Sequence, residues 1–410
     1  MRQAFWVLQR GHKKLVSLRQ VAIVGAYPIK LKRVKLMRIV ILGGLGNYGL
    51  TLAGLATQRG HDVFLLQFPG TVTRIPGMPQ KNYEPLIREF ETNGRKYWIS
   101  NNLQNNEITY ISQHIVLRSV QEIPDDIRVM VIAYPSLLHE SIGSMLKGRL
   151  NDKVVITFTD RFLGGFSILK NAEALGIAKL VAVSATPVTA FQDIRNHFKR
   201  LVFSDKHKIG IGYYPISNRI ELENILCDIV PGDYKAYSSL LEVAFNCTPS
   251  NLHAPHDLLN VVRYEQAHEF TMFHEGFTQG VERLINAISE ERCTVAKAFS
   301  LDAVSFLEYE RQTYGYRGDS LTENRRLNPQ LNQVPAPTSL YSCKGIEDVA
   351  CALVPLSELA QLVSVQTPVI NSIIDLWSCY LGQNLRKFGR SLESLGLSSK
   401  SPEEICRVVM

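Results

Sequence analysis

The residues with the clearest chemical reading are three glycines. Gly44-x-Gly46-x-x-Gly49 follows an apolar, β-favouring run, Ile39–Leu42, and leads into Tyr48–Arg59, whose apolar spacing is helical. In that setting each glycine has a task. Gly44 is expected to make the tight turn, Gly46 to let the backbone approach a diphosphate, and Gly49 to let the helix pack close to the strand. The phosphates would rest on unpaired N–H groups at the positive helix N-terminus, with Leu45, Asn47 and Tyr48 completing the cradle. A second apolar strand, Asp62–Leu66, closes a βαβ unit and ends in Gln67, where NAD-binding folds usually carry an acid for the ribose 2′-hydroxyl. A neutral residue removes a repulsion against a 2′-phosphate, and Arg74 is placed to pair with one. The expected cofactor is NADP or NAD, tilted towards NADP.

Other reactive residue types say less. His253-x-x-His256 is half of a metal site without a well-spaced third ligand, so no metal is expected. The seven cysteines (Cys227, Cys247, Cys293, Cys343, Cys351, Cys379 and Cys406) show no C-x-x-C pair and fit free thiols in a reducing compartment.

These residues need elements to hold them. The chain has 410 residues, 45% of them hydrophobic and 20% charged, which excludes disordered and fibrous classes and suits about two domains. The net charge is +7, but nine basic residues and no acid fall within residues 1–36, so the remainder carries −2. That balance gives no phosphate-tracking surface, so no nucleic-acid partner is expected. No apolar run is long enough for a membrane helix, and a cytoplasmic protein is expected.

Met37 opens a complete strand, so residues 1–36 are expected to lie outside the fold. Further buried strands read at 128–136, 153–159 and 179–187. Their carboxyl ends, with Pro135 foremost, should face the cofactor cleft. Residues 202–214 read as a final hairpin. The text then changes to helical spacing at 264–289, 294–309, 356–363 and 369–385, with a loop-rich stretch at 314–340. The expected fold is α/β: a Rossmann-type doubly wound parallel sheet over residues 37–235, followed by a mostly α-helical domain over 236–410.

Over 37–410 the chain resembles the octopine/nopaline (opine) dehydrogenase family. Besides the glycine loop, the similar stretches are Asn251-Leu-His253-Ala-Pro255-His-Asp-Leu-Leu-Asn260, Phe273-His-Glu275-Gly276 with Ile288-Ser-Glu-Glu-Arg292, and Ile346-Glu347-Asp348-Val349…Leu353-Val-Pro355. Val365-Gln-Thr-Pro368 and Gly389-Arg390-Ser-Leu392 follow. The resemblance implies an NAD(P)-dependent oxidoreductase acting on CH–NH donors. Its reaction condenses the amino group of an amino acid reductively with an α-keto acid. By position, His253 is implied as the acid/base residue, oriented by Asp348, with Asn260 at the family's spacing. The family's Arg before the Glu-Asp pair is replaced by Ser342-Cys343-Lys344. Lys344 supplies the charge for a substrate carboxylate without the bidentate fork, and Arg317, Arg325 and Arg326 are further candidates. His274 and Glu275 are expected to line a cleft-facing helix.

The expected partners are thus small molecules, with a homodimer left open. Two other readings remain at this point: a ketopantoate-reductase-like or glycerol-phosphate-dehydrogenase-like oxidoreductase, and a non-catalytic nucleotide-binding homologue.

Overall fold

In the computed structural model, the described residues are 7–9, 12–14 and 36–410, except 72–74, 77, 79, 102–105, 159, 194, 329–330, 332–333, 338, 340 and 342–343. Arg74 therefore lies outside them. The strands used below are β1 Arg38–Leu42, β2 Asp62–Leu66, β3 Lys96–Asn101, β4 Asn106–Ile111, β5 Val129–Ile132, β6 Val154–Phe158, β7 Lys179–Val183, β8 Val188–Asp193, β9 Asn196–Asp205, β10 Ile209–Tyr214 and β11 Tyr234–Ala236.

Among the described residues, seven of these strands form one sheet in the order β11-β10-β7-β6-β5-β1-β2. All neighbours are parallel except β7 and β10. The apolar runs are continuous because both faces are buried. Ile39, Ile41, Val63 and Leu65 enter the core on one side; Val40, Leu42, Phe64 and Leu66 enter the core on the other. The second of these cores runs on without a break into Ile346, Val349, Leu356 and Trp377 of the helical half. One packed core thus joins the sheet to the helices.

A second sheet, ordered β8-β9-β3-β4, covers the opposite face. Its Ile99, Tyr110, Ala190 and Phe198 share a core with helix α1, Asn47–Gln58. The hairpin expected at 202–214 does not form. β9 pairs with β8 and β3, whereas β10 joins the main sheet against β7. Two short strands flanking the polar stretch Asp205–Lys208 read the same whether they pair with each other or with other strands, so the sequence could not separate them.

The helical half contains α2 His253–Leu259, α3 Gln279–Ala298, α4 Val354–Leu362 and α5 Pro368–Leu381. The helix expected over 264–289 is interrupted: residues 266–278 are non-helical until Thr278 caps α3 by accepting from Val281 N–H. His274 and Glu275 accordingly sit in an exposed turn, where Glu275 accepts from Thr271. A single helical turn, Gly345–Asp348, runs through a π-helical stretch, Val349–Leu353, into α4. Pro355 has no N–H to give the carbonyl four residues back, that of Cys351. That oxygen instead accepts from Phe162 N–H at 3.3 Å and from Arg390 at 3.4 Å. The proline thereby turns a helix defect into a joint between the two halves.

Candidate active site

β1 lies between β2 and β5, so the chain direction across the sheet reverses beside it, and ligands of open α/β sheets bind at such switch points. The glycine loop and Pro135 stand there, at the carboxyl ends of β1 and β5. The tight turn falls on Gly43 (φ +83°) rather than on Gly44. Gly43 was not singled out in the sequence, because it precedes the spaced triplet. Gly44 is needed for contact instead, since a Cβ there would stand 2.8 Å from that of Leu65. On Gly49 a Cβ would run into the Gly43 carbonyl, so the helix packs as closely as the spacing predicts. Gly46 caps α1, whose first turn carries no acid. The cradle therefore fits a dinucleotide diphosphate: open amides at a helix N-terminus with no competing carboxylate.

Gln67 is not free to read a ribose. Its Oε1 accepts from Leu45 N–H at 3.4 Å and its Nε2 donates to Tyr134 Oη at 3.1 Å, so it braces the loop from inside. Pro135 is exposed at the carboxyl end of β5.

On the opposite wall, α2 presents His253 through its first turn. Trp377 fixes that turn by donating Nε1–H to Ala254 O at 2.9 Å. Asp257, one turn on, accepts Gly345 N–H at 2.9 Å and so anchors the helical turn that ends in Asp348. Gly345 is required for this approach, because a Cβ would stand 2.6 Å from the Trp377 ring. The result is a buried dyad: His253 Nδ1 lies 2.9 Å from Asp348 Oδ2, which also accepts the His253 backbone N–H at 3.2 Å.

Arg161 completes the cluster from the other half of the chain. It follows β6 at φ +57°, and it reaches Asp348 at 3.0 Å and Glu347 at 3.5 Å. A non-glycine residue held in the left-handed region stores strain, which is common at functional sites. Glu347 in turn accepts Ser136 N–H at 2.7 Å at the end of β5. Lys344 Nζ lies 3.2 Å from Tyr48 Oη, so a cation of the helical half touches the glycine loop.

Burial and the nearby Lys344 push the His253 pKa well below its ordinary value, so the ring is neutral at pH 7. With Nδ1–H held by Asp348, Nε2 is the nitrogen left for a reacting group. Burial raises the Asp348 pKa, while Arg161 pulls it back. The two His253 contacts to Oδ2 and the Arg161 charge 3.0 Å from Oδ1 work against that rise by favouring the carboxylate. Lys344 draws the Tyr48 phenol down to about 8, with Lys206 and Arg161 adding to the effect.

Several sequence candidates fall outside this cluster. Asn260, named with Lys344 as a substrate-binding candidate, turns its side-chain N–H groups to the carbonyls of His256 and Gly276. His256 is fully buried between Asp257 Oδ1 (2.8 Å) and Met272 O (2.9 Å). Arg325 is buried against Glu310 and the rings of Phe273 and Phe277, while Arg317 and Arg326 are exposed. Arg161 and Lys206 were missed. Arg161 had a signal, because it directly follows a strand end that should face the cleft. Among the described residues no cluster of three His, Cys, Asp or Glu side chains could hold a metal, and no helix is long and apolar enough to cross a membrane.

Fold and site together fit an NAD(P)-dependent oxidoreductase, with the glycine loop at the sheet and the His253–Asp348 pair in the helical half. Residues 236–381 match the family described as NAD/NADP octopine/nopaline dehydrogenase, alpha-helical domain. An opine dehydrogenase of Arthrobacter sp. (strain 1C) is 28% identical over 274 residues, 67% of this chain and 76% of that protein. The fold is shared with a solved octopine dehydrogenase in complex with NADH and agmatine, at a TM-score of 0.66 and 14% identity, covering 90% of this chain and 98% of that one. It is shared as well with an NADP+-bound yersinopine dehydrogenase, at a TM-score of 0.64 and 13% identity, covering 91% and 98%. The chain is thus similar to opine dehydrogenases over about two thirds of its length, and its helical half matches that family's helical domain.

Proposed function

We propose that this chain joins the amino group of an amino acid to an α-keto acid by NAD(P)H-dependent reductive condensation, with His253 as the acid/base residue. The observation that carries this reading is the His253–Asp348 dyad, packed with Arg161 and Lys344 against the glycine loop. Condensation needs the amine unprotonated. His253 Nε2, neutral and backed by Asp348, takes a proton from the ammonium group; the amine attacks the keto carbon and water leaves. When bound, NAD(P)H supplies the hydride that reduces the C=N bond. In the reverse direction His253 takes the proton of the secondary amine. Asp348 fixes the ring tautomer and balances the imidazolium that forms. The product carries two carboxylates, and Lys344 and Lys206, both beside Tyr48, are the cations proposed to receive them. Arg161, already paired with Asp348 and Glu347, holds the dyad in place.

The test follows NADH and NADPH absorbance with pyruvate, 2-oxoglutarate or oxaloacetate, each with and without a panel of amino acids. Amino-acid-dependent oxidation is the expected result. Oxidation with the keto acid alone would make the chain a simple keto-acid reductase, and cofactor binding without turnover would make it a nucleotide sensor.

A further inference from the structure

The dinucleotide cradle has a support that no motif marks. Arg200 lies on β9 in the second sheet, wholly buried behind the first turn of α1. Among the described residues its guanidinium donates to backbone carbonyls alone. Nε donates to Asn47 O at 3.2 Å, one terminal nitrogen to His197 O at 2.7 Å and Lys199 O at 3.0 Å, and the other to Leu45 O and Gly46 O at 3.1 Å each. These contacts use all five donors of the group. Among the described residues no carboxylate forms an ion pair with it. Burial draws its pKa down to about 10, so it is still a cation at neutral pH.

An unpaired buried charge is costly and persists only where something compensates it. The geometry shows what it does. In a trans peptide the carbonyl and the following N–H point in opposite directions. Holding the oxygens of Leu45, Gly46 and Asn47 towards Arg200 turns the N–H groups of Gly46, Asn47 and Tyr48 the other way. The Gly46 N–H closes on Gly43 O at 2.9 Å. Those of Asn47 and Tyr48 are the first of α1 and have no acceptor within the helix. A guanidinium on a carbonyl also polarises that peptide and strengthens its N–H as a donor. β8 grips the same turn, since Asn47 Nδ2 donates to Ala190 O at 2.7 Å.

We propose that Arg200 is the positioning residue of the diphosphate site. It clamps three loop carbonyls, aims the Asn47 and Tyr48 amides into the cleft, and sets a fixed positive charge behind them that the diphosphate balances. The inference rests on the dinucleotide reading of the glycine loop and goes beyond it by giving the second sheet a part in cofactor binding.

The test compares wild type, Arg200→Gln and Arg200→Lys, each checked for folding by thermal melting. ADP-ribose, which carries the diphosphate, is titrated calorimetrically. Adenosine, which lacks it, is measured as a competitor of NAD(P)H fluorescence. Arg200→Gln should weaken ADP-ribose about tenfold or more while adenosine shifts less than about twofold. Arg200→Lys should fall between, because the ammonium keeps the charge but not the fork. Wild-type ADP-ribose affinity in a folded variant overturns the proposal, and so does an equal loss for both ligands, the mark of a merely structural residue. If Arg200→Gln does not fold, Arg200→Lys decides by the same ratio, and an unchanged ratio overturns the proposal. A wild type that binds no ADP-ribose fails the dinucleotide reading itself, a result distinct from any effect of the variants.

Discussion

His253 and Asp348 meet twice: the ring Nδ1 and the backbone N–H of His253 both converge on Asp348 Oδ2, at 2.9 and 3.2 Å. One carboxylate oxygen thus sets both where α2 begins and how its first side chain is turned. Asp348→Asn would present an amide that cannot accept with the same strength and favours the wrong ring tautomer. We expect Asp348→Asn and His253→Ala each to lower kcat by about 10²-fold or more, with the Kd for NAD(P)H changed less than about threefold. Stopped-flow turnover beside fluorescence titration of the cofactor checks this. A parallel loss of cofactor affinity would move the dyad's role from chemistry to the cradle.

The pH dependence follows from the same ring. Burial and the Lys344 charge lower the His253 pKa, so the base form persists below pH 6.5, the group's ordinary value. In the oxidative direction, which needs that base, kcat/KM should stay flat through pH 6.5 and fall only in more acidic solution. Removing a neighbouring cation raises the pKa of a base. Lys344→Met should therefore move the acid limb to higher pH and raise the KM for the keto acid. A pH–rate profile that stays in place, or moves the other way, removes Lys344 from the electrostatics of the dyad.

Tyr48 offers a spectroscopic view of its contact with Lys344. Its hydroxyl is 3.2 Å from Lys344 Nζ, and that charge draws the phenol down to about 8. A difference titration of phenolate absorbance between wild type and Tyr48→Phe should reveal one tyrosine titrating near pH 8. In Lys344→Met the same step should shift towards the ordinary value of 10. If no tyrosine titrates below pH 9, the two lobes do not meet at this pair in solution.

Much of this architecture was legible in the residues, for identifiable reasons. Doubly buried strands leave continuous apolar runs, and β1 and β2 were delimited at both ends. The dyad's two segments carried enough distinctive residues around His253 and Asp348 to be placed by resemblance. What stayed hidden depends on partners distant in the chain. Nothing near Arg200 announces that its guanidinium ends on the carbonyls of Leu45, Gly46 and Asn47. Spacing placed Asn260 but does not record which carbonyls take its N–H groups. Gly43 and Gly44 exchanged tasks because adjacent glycines are equivalent in a spacing pattern, and only the positive φ tells them apart.

The two histidines of α2 should separate by opposite symptoms. His256 is fully buried, with Asp257 on one ring nitrogen and the Met272 carbonyl on the other, and no open face. Taking away its imidazole strands the Met272 carbonyl and leaves a cavity, while Asp257 keeps Tyr264 at 3.0 Å and the Gly345 N–H at 2.9 Å. Leaving one buried acceptor unsatisfied in this way costs about 1–3 kcal/mol. His256→Ala should thus lose stability on that scale in urea denaturation, while the molecules that remain folded turn over within a few-fold of wild type. His253→Ala should show the reverse, near-native unfolding with turnover lost, because Nε2 makes no hydrogen bond among the described residues to lose and Asp348 keeps Arg161 as a partner. A stable, inactive His256→Ala would transfer the acid/base role one turn along α2 and leave the His253–Asp348 contact as scaffold.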